Sequence, residues 1–163
     1  MRPIAVATCD LDGLIVAGTS PFPAPFPIGH ECVAEVIEIG NGVTTIRPGQ
    51  LVSVPFQISC GDCVPCRRRR TGNCSSVPFM STYGFGPAVE REQPRLPLLE
   101  MYTTGVTFST GRVHARPAIP HVLELTARGA LHPERITTRT VSWNDALDAL
   151  TASRWTKLVF CRE

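Results

Sequence analysis

The stretch CGDCVPCRRRRTGNC, residues 60–74, constrains the fold of this chain more than any other part of its sequence. Three cysteines follow one another with two residues between them, and a fourth comes seven residues after the third. They are Cys60, Cys63, Cys66 and Cys74. Two-residue gaps place sulfur atoms on tight turns that face one centre, and Gly61, Pro65 and Gly72 suit such turns. The spacing predicts a compact lobe with four thiolates.

Zinc is the metal that this pattern favours, because structural zinc sites use four cysteine thiolates in a tetrahedron. Four thiolates leave no open position for water or substrate, so we expect this zinc to be structural. An iron–sulfur cluster is the main alternative, since ferredoxin-like runs also use two-residue gaps. Those runs place three residues before a last cysteine that proline follows, whereas here seven residues precede Cys74 and Ser75 follows it. A fully paired disulfide framework is disfavoured, because the chain has seven cysteines.

Composition indicates a folded chain and excludes some partners. The chain has 163 residues, of which 43% are hydrophobic, enough for one core or two small ones. Its net charge of +2 is too small to attract nucleic acid by bulk electrostatics. The basic run at residues 67–70 is expected to be a solvated face beside the cysteines, with a phosphate-binding patch as the alternative. We therefore expect no nucleic-acid partner.

Hydropathy predicts a protein without a membrane span. No stretch approaches 18 consecutive apolar residues. The apolar run near the start is interrupted by Asp10 and Asp12, which a signal peptide would not carry there. We expect a soluble cytoplasmic protein, in a compartment whose reducing conditions disfavour disulfides.

The first half of the chain has the pattern of a small β domain. Residues 4–8 predict a strand, and the four prolines of residues 21–27 predict an extended loop. Residues 32–56 are rich in β-branched residues and contain two turn signals, Asn41-Gly42 and Pro48-Gly49. Short strands with turns at this spacing are typical of a barrel or sandwich.

The second half predicts two helices and a final strand. Residues 120–129 predict a helix with Pro120 at its start and Gly129 as its C-cap. Residues 142–152 predict another, in which Ser142 and Asp145 resemble a capping box. Residues 157–160 predict the closing strand.

A second group of residues of the types that bind metals lies upstream of the four cysteines. It consists of Cys9 and the run Gly29-His30-Glu31. Thiolate, imidazole and carboxylate groups all bind zinc, and a catalytic zinc has three protein ligands and one open position. On spacing alone, a buried thiol and a hydrogen-bonded histidine explain Cys9 and His30 better.

Three motifs in order resemble one family. They are CDLD at residues 9–12, PIGHECVAEVIEIGNGVTTIRPGQLVSV at 27–54, and the four-cysteine stretch. Together they are similar to the zinc-containing medium-chain dehydrogenases, the alcohol dehydrogenase superfamily. Residues 105–160 also resemble the C-terminal region of that family. The resemblance implies an α+β, mainly β fold, with a GroES-like β-barrel domain over residues 1–88, a linker over 89–102, and a remnant of the cofactor domain over 103–163.

The resemblance also implies roles for individual residues. Cys9 and His30 would bind a catalytic zinc, and Asp12 would support His30 from behind. Glu31 would be an alternative or transient zinc ligand. The four cysteines at 60, 63, 66 and 74 would hold the structural zinc. The implied reaction interconverts a small alcohol with an aldehyde or ketone, using NAD(P).

The sequence departs from the family in its cofactor half. The two candidate Gly-x-Gly-x-x-Gly runs carry Thr45 and Val89 in place of the last glycine, and neither follows a strand and opens a helix. We therefore assign no cofactor-binding residue and no third catalytic-zinc ligand, and expect the nucleotide-binding domain to be largely deleted. Leu11 also replaces the serine or threonine with which many members relay a proton.

Two functions follow from these observations. The first is a zinc-dependent alcohol dehydrogenase-like oxidoreductase that works with NAD(P) if a cofactor site is completed. The second is a truncated, non-catalytic zinc-binding paralogue, acting through self-association or association with full-length relatives. A zinc-ribbon nucleic-acid binder is disfavoured by the small net charge. A zinc hydrolase or lyase has no supporting general-base motif.

Overall fold

The computed structural model describes residues 1–20, 22, 25–78, 81–84, 96–152 and 155–163. The strands are Arg2–Ala7 (β1), Glu31–Glu35 (β2), Leu51–Val54 (β3), Arg139–Ser142 (β4) and Leu158–Cys161 (β5). The α-helices are Asp10–Val16 (α1), Val64–Arg67 (α2), Leu98–Thr104 (α3), Ala115–Ala127 (α4) and Ala146–Thr151 (α5). Short 3-10 turns lie at Thr71–Asn73, Pro133–Ile136 and Trp143–Asp145. In the part of the chain described, no helix combines the length and apolarity that a membrane crossing needs.

The strands form one mixed five-stranded sheet in the order β3-β2-β1-β5-β4. Neighbouring strands are antiparallel except β4 and β5, which are parallel. Val6 of β1 lies opposite Cys32 of β2 on one side and Phe160 of β5 on the other. The first and last strands of the chain thus meet at the centre of the sheet. The predicted class, α+β and mainly β, is confirmed.

The apolar core lies between one face of the sheet and helix α5. Leu158 and Phe160 alternate along β5 and so point to the same face, where they pack against Ala149. Around them lie the partly buried side chains of Val141, Ala146, Leu150 and Trp155. Burial of this cluster attaches the C-terminal helix to a sheet whose central strand comes from the N-terminus.

Thr8 joins the two ends of the chain just beyond the last paired residues of β1. Its backbone N–H donates to the Leu158 carbonyl oxygen at 2.9 Å, and its Oγ1 accepts from the Leu158 N–H at 2.8 Å. Thr8 is buried. Because Thr8 precedes Cys9, this contact also sets the position of the first candidate metal ligand.

Several predicted local features of the β domain are confirmed. The strand predicted over residues 4–8 is β1. The predicted turns at Asn41-Gly42 and Pro48-Gly49 both lie between β2 and β3. Gly49 has a φ of 86°, a left-handed conformation that glycine adopts without strain. Residues 25–30 carry no helix or strand, as the proline-rich loop requires, whereas Pro21 and Pro23 lie outside the described residues.

The helix predicted over residues 120–129 was placed wrongly at its start. Helix α4 begins at Ala115, so Pro120 lies inside it rather than at its first turn. Hydrogen bonds from distant residues hold the segment before Pro120, and such contacts override the local preference for a proline at the first position. The predicted C-terminal glycine is confirmed: Gly129 follows the C-cap Arg128 with a φ of 67°.

Three helices were not predicted from the sequence: α1, α2 and α3. Helix α3 ends where Gly105 adopts a φ of 67°, and it exposes Leu98, Leu99 and Tyr102 to solvent. It begins inside the segment assigned as a linker, most of whose other residues lie outside the described part of the chain. The domain boundaries at 88 and 103 stay predictions. The helix predicted over 142–152 is a 3-10 turn followed by α5.

Candidate metal centres

The four cysteines predicted to bind one metal lie together in the structure. Their four sulfur atoms are all within 4.8 Å of one another. Gly61 supplies the first turn with a φ of 84°, and helix α2 starts directly after Cys63 with Pro65 in its first turn. Cys74 follows the 3-10 turn Thr71–Asn73. Local turns alone therefore bring the thiols together.

The distances in this lobe fit zinc and exclude a disulfide. The Sγ atoms of Cys63 and Cys74 lie 3.8 Å apart. A disulfide requires about 2.05 Å. A tetrahedral site with zinc–sulfur bonds of about 2.3 Å has its sulfurs about 3.8 Å apart. All seven cysteines are free thiols.

Backbone N–H groups surround the sulfur atoms and stabilise negative charge on them. The N–H of Cys60 donates to Cys74 Sγ at 3.4 Å. The N–H groups of Asp62 and Cys63 both donate to Cys60 Sγ at 3.3 Å. Donors of this kind favour the thiolate, which is the form that binds a metal.

The pKa values of the thiols differ within the lobe. Hydrogen bonds from the backbone of Cys66 and Ser75 lower the pKa of Cys63 to about 5. The Ser76 side chain and the N–H groups of the first turn lower the pKa of Cys60. Burial raises the pKa of Cys66 to about 12. Without a metal the lobe therefore holds both thiolates and thiols. A metal that binds all four cysteines as thiolates must displace the protons of the remaining thiols.

The second predicted group also comes together, around His30. The Sγ of Cys9 lies 3.1 Å from His30 Nε2. On the other side of the ring, Asp12 Oδ1 lies 3.5 Å from His30 Nδ1. Cys9 is the residue before α1, and His30 is the residue before β2, so the ends of two elements meet here. Cys9, Asp12 and His30 form a group that could hold a metal ion.

Asp12 lies against both of its neighbours in this group. Its Oδ2 accepts from the Cys9 backbone N–H at 2.7 Å, which caps the start of α1. Its Oδ1 is buried and makes no hydrogen bond to any described residue, although it faces His30 Nδ1. Asp12 is 1% exposed and His30 7%. A carboxylate behind a histidine that faces a thiol is the arrangement in which the histidine binds a metal through its other nitrogen.

The environment of Cys9 favours the neutral thiol while no metal is bound. Burial raises its pKa, and the nearby carboxylates of Asp12 and Glu31 raise it further, against hydrogen bonds from the Leu11 and Asp12 backbone that lower it. A divalent cation would reverse this preference, because a coordinating thiol is deprotonated.

Glu31 lies next to His30 but its carboxylate belongs to a different contact. Its Oε2 is 2.6 Å from Nζ of Lys157, which also donates to the Thr8 carbonyl oxygen at 2.7 Å. Glu31 is not part of the group formed by Cys9, Asp12 and His30. The role of Glu31 as a zinc ligand stays a prediction. Sequence reasoning missed Lys157, because its pairing depends on β5 lying beside β1.

An apolar cavity of about 380 Å³ borders His30 and Glu31. Its walls come from the sheet face opposite the core and from the first turns of α4. The wall residues include Ala5, Val33, Phe56, Ala115, Ile119 and Val159. The Phe56 ring meets the His30 ring edge to face, with centroids 6.2 Å apart. Small apolar molecules could therefore approach His30. The sequence analysis did not identify Phe56, Ala115 or Ile119 as residues of this site.

Comparisons with known proteins show the family of the chain. The sequence profile described as "Alcohol dehydrogenase GroES-like domain" matches residues 1–117. The glutathione-independent formaldehyde dehydrogenase of Pseudomonas aeruginosa is 42% identical over 77 residues, which are 47% of this chain and 19% of that protein. The medium chain reductase/dehydrogenase ucsI of Acremonium sp is 42% identical over 77 residues, 47% of this chain and 26% of that protein. The match thus spans about a fifth to a quarter of these relatives.

Solved structures share the fold over a longer stretch. The alcohol dehydrogenase TADH from Thermus sp. ATN1 superimposes with a TM-score of 0.80, covering 99% of this chain and 91% of that chain. The two sequences are 15% identical. At this identity the likeness concerns the fold alone.

Proposed function

Because the chain belongs to the alcohol dehydrogenase GroES-like domain family, we propose that it binds two zinc ions and takes part in interconverting alcohols and carbonyl compounds. The observation that carries this proposal is the group of Cys9, Asp12 and His30, in which His30 also lines an apolar cavity. An imidazole at the edge of a small apolar space, with a thiol 3.1 Å from its Nε2, suits a substrate that is apolar except at one oxygen.

The two zinc ions have different ligands and roles. The four cysteines of residues 60–74 hold the structural zinc, and the 3.8 Å sulfur spacing supports this assignment. Cys9 and His30 would hold the second zinc. When bound there, zinc polarises an alcohol or carbonyl oxygen as a Lewis acid.

In this proposal Asp12 would orient the His30 ring. A proton on Nδ1 faces the Asp12 carboxylate, which leaves the Nε2 lone pair directed at the metal position beside Cys9.

The cavity walls favour a small alcohol, aldehyde or ketone over a charged substrate. Val33, Phe56 and Val159 present hydrocarbon surface next to His30. The Glu31 carboxylate at the edge of the cavity is neutralised by Lys157, which keeps it away from the substrate oxygen. Glu31 could reach the metal only if this ion pair opened.

The hydride partner of such a reaction is NAD(P). The candidate glycine runs lack the pattern that cradles a pyrophosphate, so a complete cofactor site requires residues from elsewhere, such as a second copy or a full-length relative. The second candidate function, a non-catalytic zinc protein that acts by association, is favoured by the exposed apolar side chains of α3.

Metal counting, NADH titration and turnover assays together separate the two functions. Two zinc ions per chain, NADH binding and turnover across a panel of short alcohols support the oxidoreductase. One zinc ion without NADH binding or turnover supports the non-catalytic protein. Cys9→Ser should remove one zinc ion and leave the other, whereas Cys32→Ser, at a cysteine outside both groups, should remove neither. Loss of the four-cysteine zinc in Cys9→Ser would contradict the assignment.

A further inference from the structure

Residues 112–117, which lead into α4, are bound to the four-cysteine lobe through Gly72. Arg112 Nη1 donates to the Gly72 carbonyl oxygen at 2.6 Å, and the Gly72 N–H donates to His114 Nδ1 at 3.1 Å. Gly72 lies in the 3-10 turn between Cys66 and Cys74. The position of this segment therefore depends on the position of the 3-10 turn between Cys66 and Cys74.

Gln57, which lies against Gly72, also binds this segment. Its Nε2 donates to the Val113 carbonyl oxygen at 2.7 Å, and its Oε1 accepts from the Ala115 N–H at 3.4 Å. Gln57 is only 3% exposed, so both ends of its amide depend on these backbone partners. A buried amide that pairs with two backbone groups specifies one position of the segment.

Two arginines extend the contact around the lobe. Arg69, beside helix α2, donates to the Pro117 carbonyl oxygen at 2.9 Å. Arg116 donates to Ser59 Oγ at 3.2 Å, and its guanidinium packs over Gly61 in the turn between the first two cysteines. Residues 112–117 therefore touch the lobe at both of its metal-binding turns.

The same helix forms one wall of the cavity beside His30. Ala115 and Ile119 line that cavity. No residue of α4 is fully buried, and Val122 and Leu123 are 43% and 55% exposed. Because α4 buries little apolar surface of its own, its position depends on the hydrogen bonds to the lobe.

We propose that residues 112–117 act as a clasp that couples zinc binding in the four-cysteine lobe to the seating of α4 over the cavity. The coupling rests on the zinc assignment made under the proposed function. With zinc bound, Cys66 and Cys74 hold the 71–73 turn between them, and Gly72 is in place for the clasp. Without zinc the turn is free to move, the clasp releases, and α4 leaves the cavity.

Gly72→Ala tests the clasp without changing any cysteine. A Cβ atom at Gly72 would lie 2.6 Å from Gln57 Nε2 and 2.8 Å from the Val113 carbonyl oxygen, so the clasp cannot stay where it is. Gly72 is not among the residues with positive φ, so alanine suits its backbone. Gly42→Ala is the matched control, because Gly42 also lacks a positive φ and a Cβ there meets nothing within 4 Å.

Hydrogen exchange on the full chain, followed by mass spectrometry with and without zinc, measures the coupling. In the zinc-loaded wild type, amides of residues 112–127 should be protected, and removal of zinc should speed their exchange at least about tenfold. Gly72→Ala in excess zinc should exchange as fast as the zinc-free wild type. Coupling is reciprocal, so Gly72→Ala should also weaken zinc binding, by about tenfold. Gly42→Ala should match the wild type in both measurements.

A second variant, outside the four-cysteine lobe, tests the clasp in case Gly72→Ala misfolds the lobe. Gln57→Glu keeps an acceptor for the Ala115 N–H but has no donor for the Val113 carbonyl oxygen, so it should also deprotect residues 112–127. Unchanged exchange in this segment after zinc removal, on a chain shown to carry zinc beforehand, would overturn the coupling and leave the zinc assignment intact. Absence of zinc from the untreated chain would overturn both.

Discussion

The Nζ atom of Lys157 lies 2.6 Å from Oε2 of Glu31 and 2.7 Å from the carbonyl oxygen of Thr8. This single side chain connects the residue before β5 to the start of β2 and to the end of β1. Its side chain is 19% exposed, whereas the Glu31 side chain is 43% exposed. The ion pair neutralises the carboxylate of Glu31, the residue next to the candidate metal ligand His30.

We predict that Lys157→Met lowers the free energy of unfolding by about 1 kcal/mol, because an ion pair and a hydrogen bond to a carbonyl are lost together. Urea denaturation measures this. Arg128→Met is the control, since Arg128 pairs with Glu124 at 3.4 Å while both side chains are at least 60% exposed. It should cost less than about 0.5 kcal/mol. Equal effects of the two substitutions would contradict the prediction.

Asp12→Asn should weaken metal binding at Cys9 and His30 by about 10- to 100-fold, because an amide orients the His30 ring less well than a carboxylate. The zinc of the four-cysteine lobe should be retained. Cobalt substitution followed by absorption spectroscopy can report the two sites by their different numbers of thiolate ligands. Asp10→Asn, in the same first turn of α1 but exposed, should leave both sites unchanged. An Asp12→Asn chain with wild-type affinity would refute the assigned role.

Zinc binding by the four-cysteine lobe should strengthen as pH rises. At neutral pH Cys63, with its pKa lowered to about 5, is already a thiolate, whereas Cys66, with its pKa raised to about 12, carries a proton. Zinc must displace that proton, so affinity should change about tenfold per pH unit for each proton released. Calorimetry in buffers of different ionisation enthalpy counts the protons. Affinity that stays constant between pH 6 and about pH 8 would rule out this linkage.

Thr8→Val should destabilise the sheet by about 1–3 kcal/mol, because the Leu158 N–H would lose its acceptor at a buried position. Thermal or urea unfolding measures the effect. The matched substitution is Thr126→Val, at an exposed helix position where Oγ1 donates to the Val122 carbonyl oxygen at 2.9 Å. That control should change stability by less than about 0.5 kcal/mol. A similar cost at both sites would show that the Thr8 hydroxyl does not stabilise the contact between the two ends of the chain.

The prediction from sequence was most successful where partners lie close along the chain. The turns at Asn41-Gly42 and Pro48-Gly49 and the cap at Gly129 depend on backbone preferences of single residues, and each is confirmed. Helix α4 was placed wrongly at its start, because contacts of its first residues with Gln57 and Gly72 lie far away in sequence. Periodicity in a short window contains no trace of such contacts.

Sequence by itself determined the four-cysteine lobe, because the short gaps between residues 60, 63, 66 and 74 keep their sulfur atoms close together. The meeting of Cys9 with His30 was expected only through the family resemblance, and the pairing of Lys157 with Glu31 was not expected at all. Only the tertiary structure decided these, because they depend on strand order: β1 lies between β2 and β5, so residues as far apart as Thr8 and Leu158 become neighbours. Side-chain packing between neighbouring strands and against α5, rather than local conformational preference, selects that order.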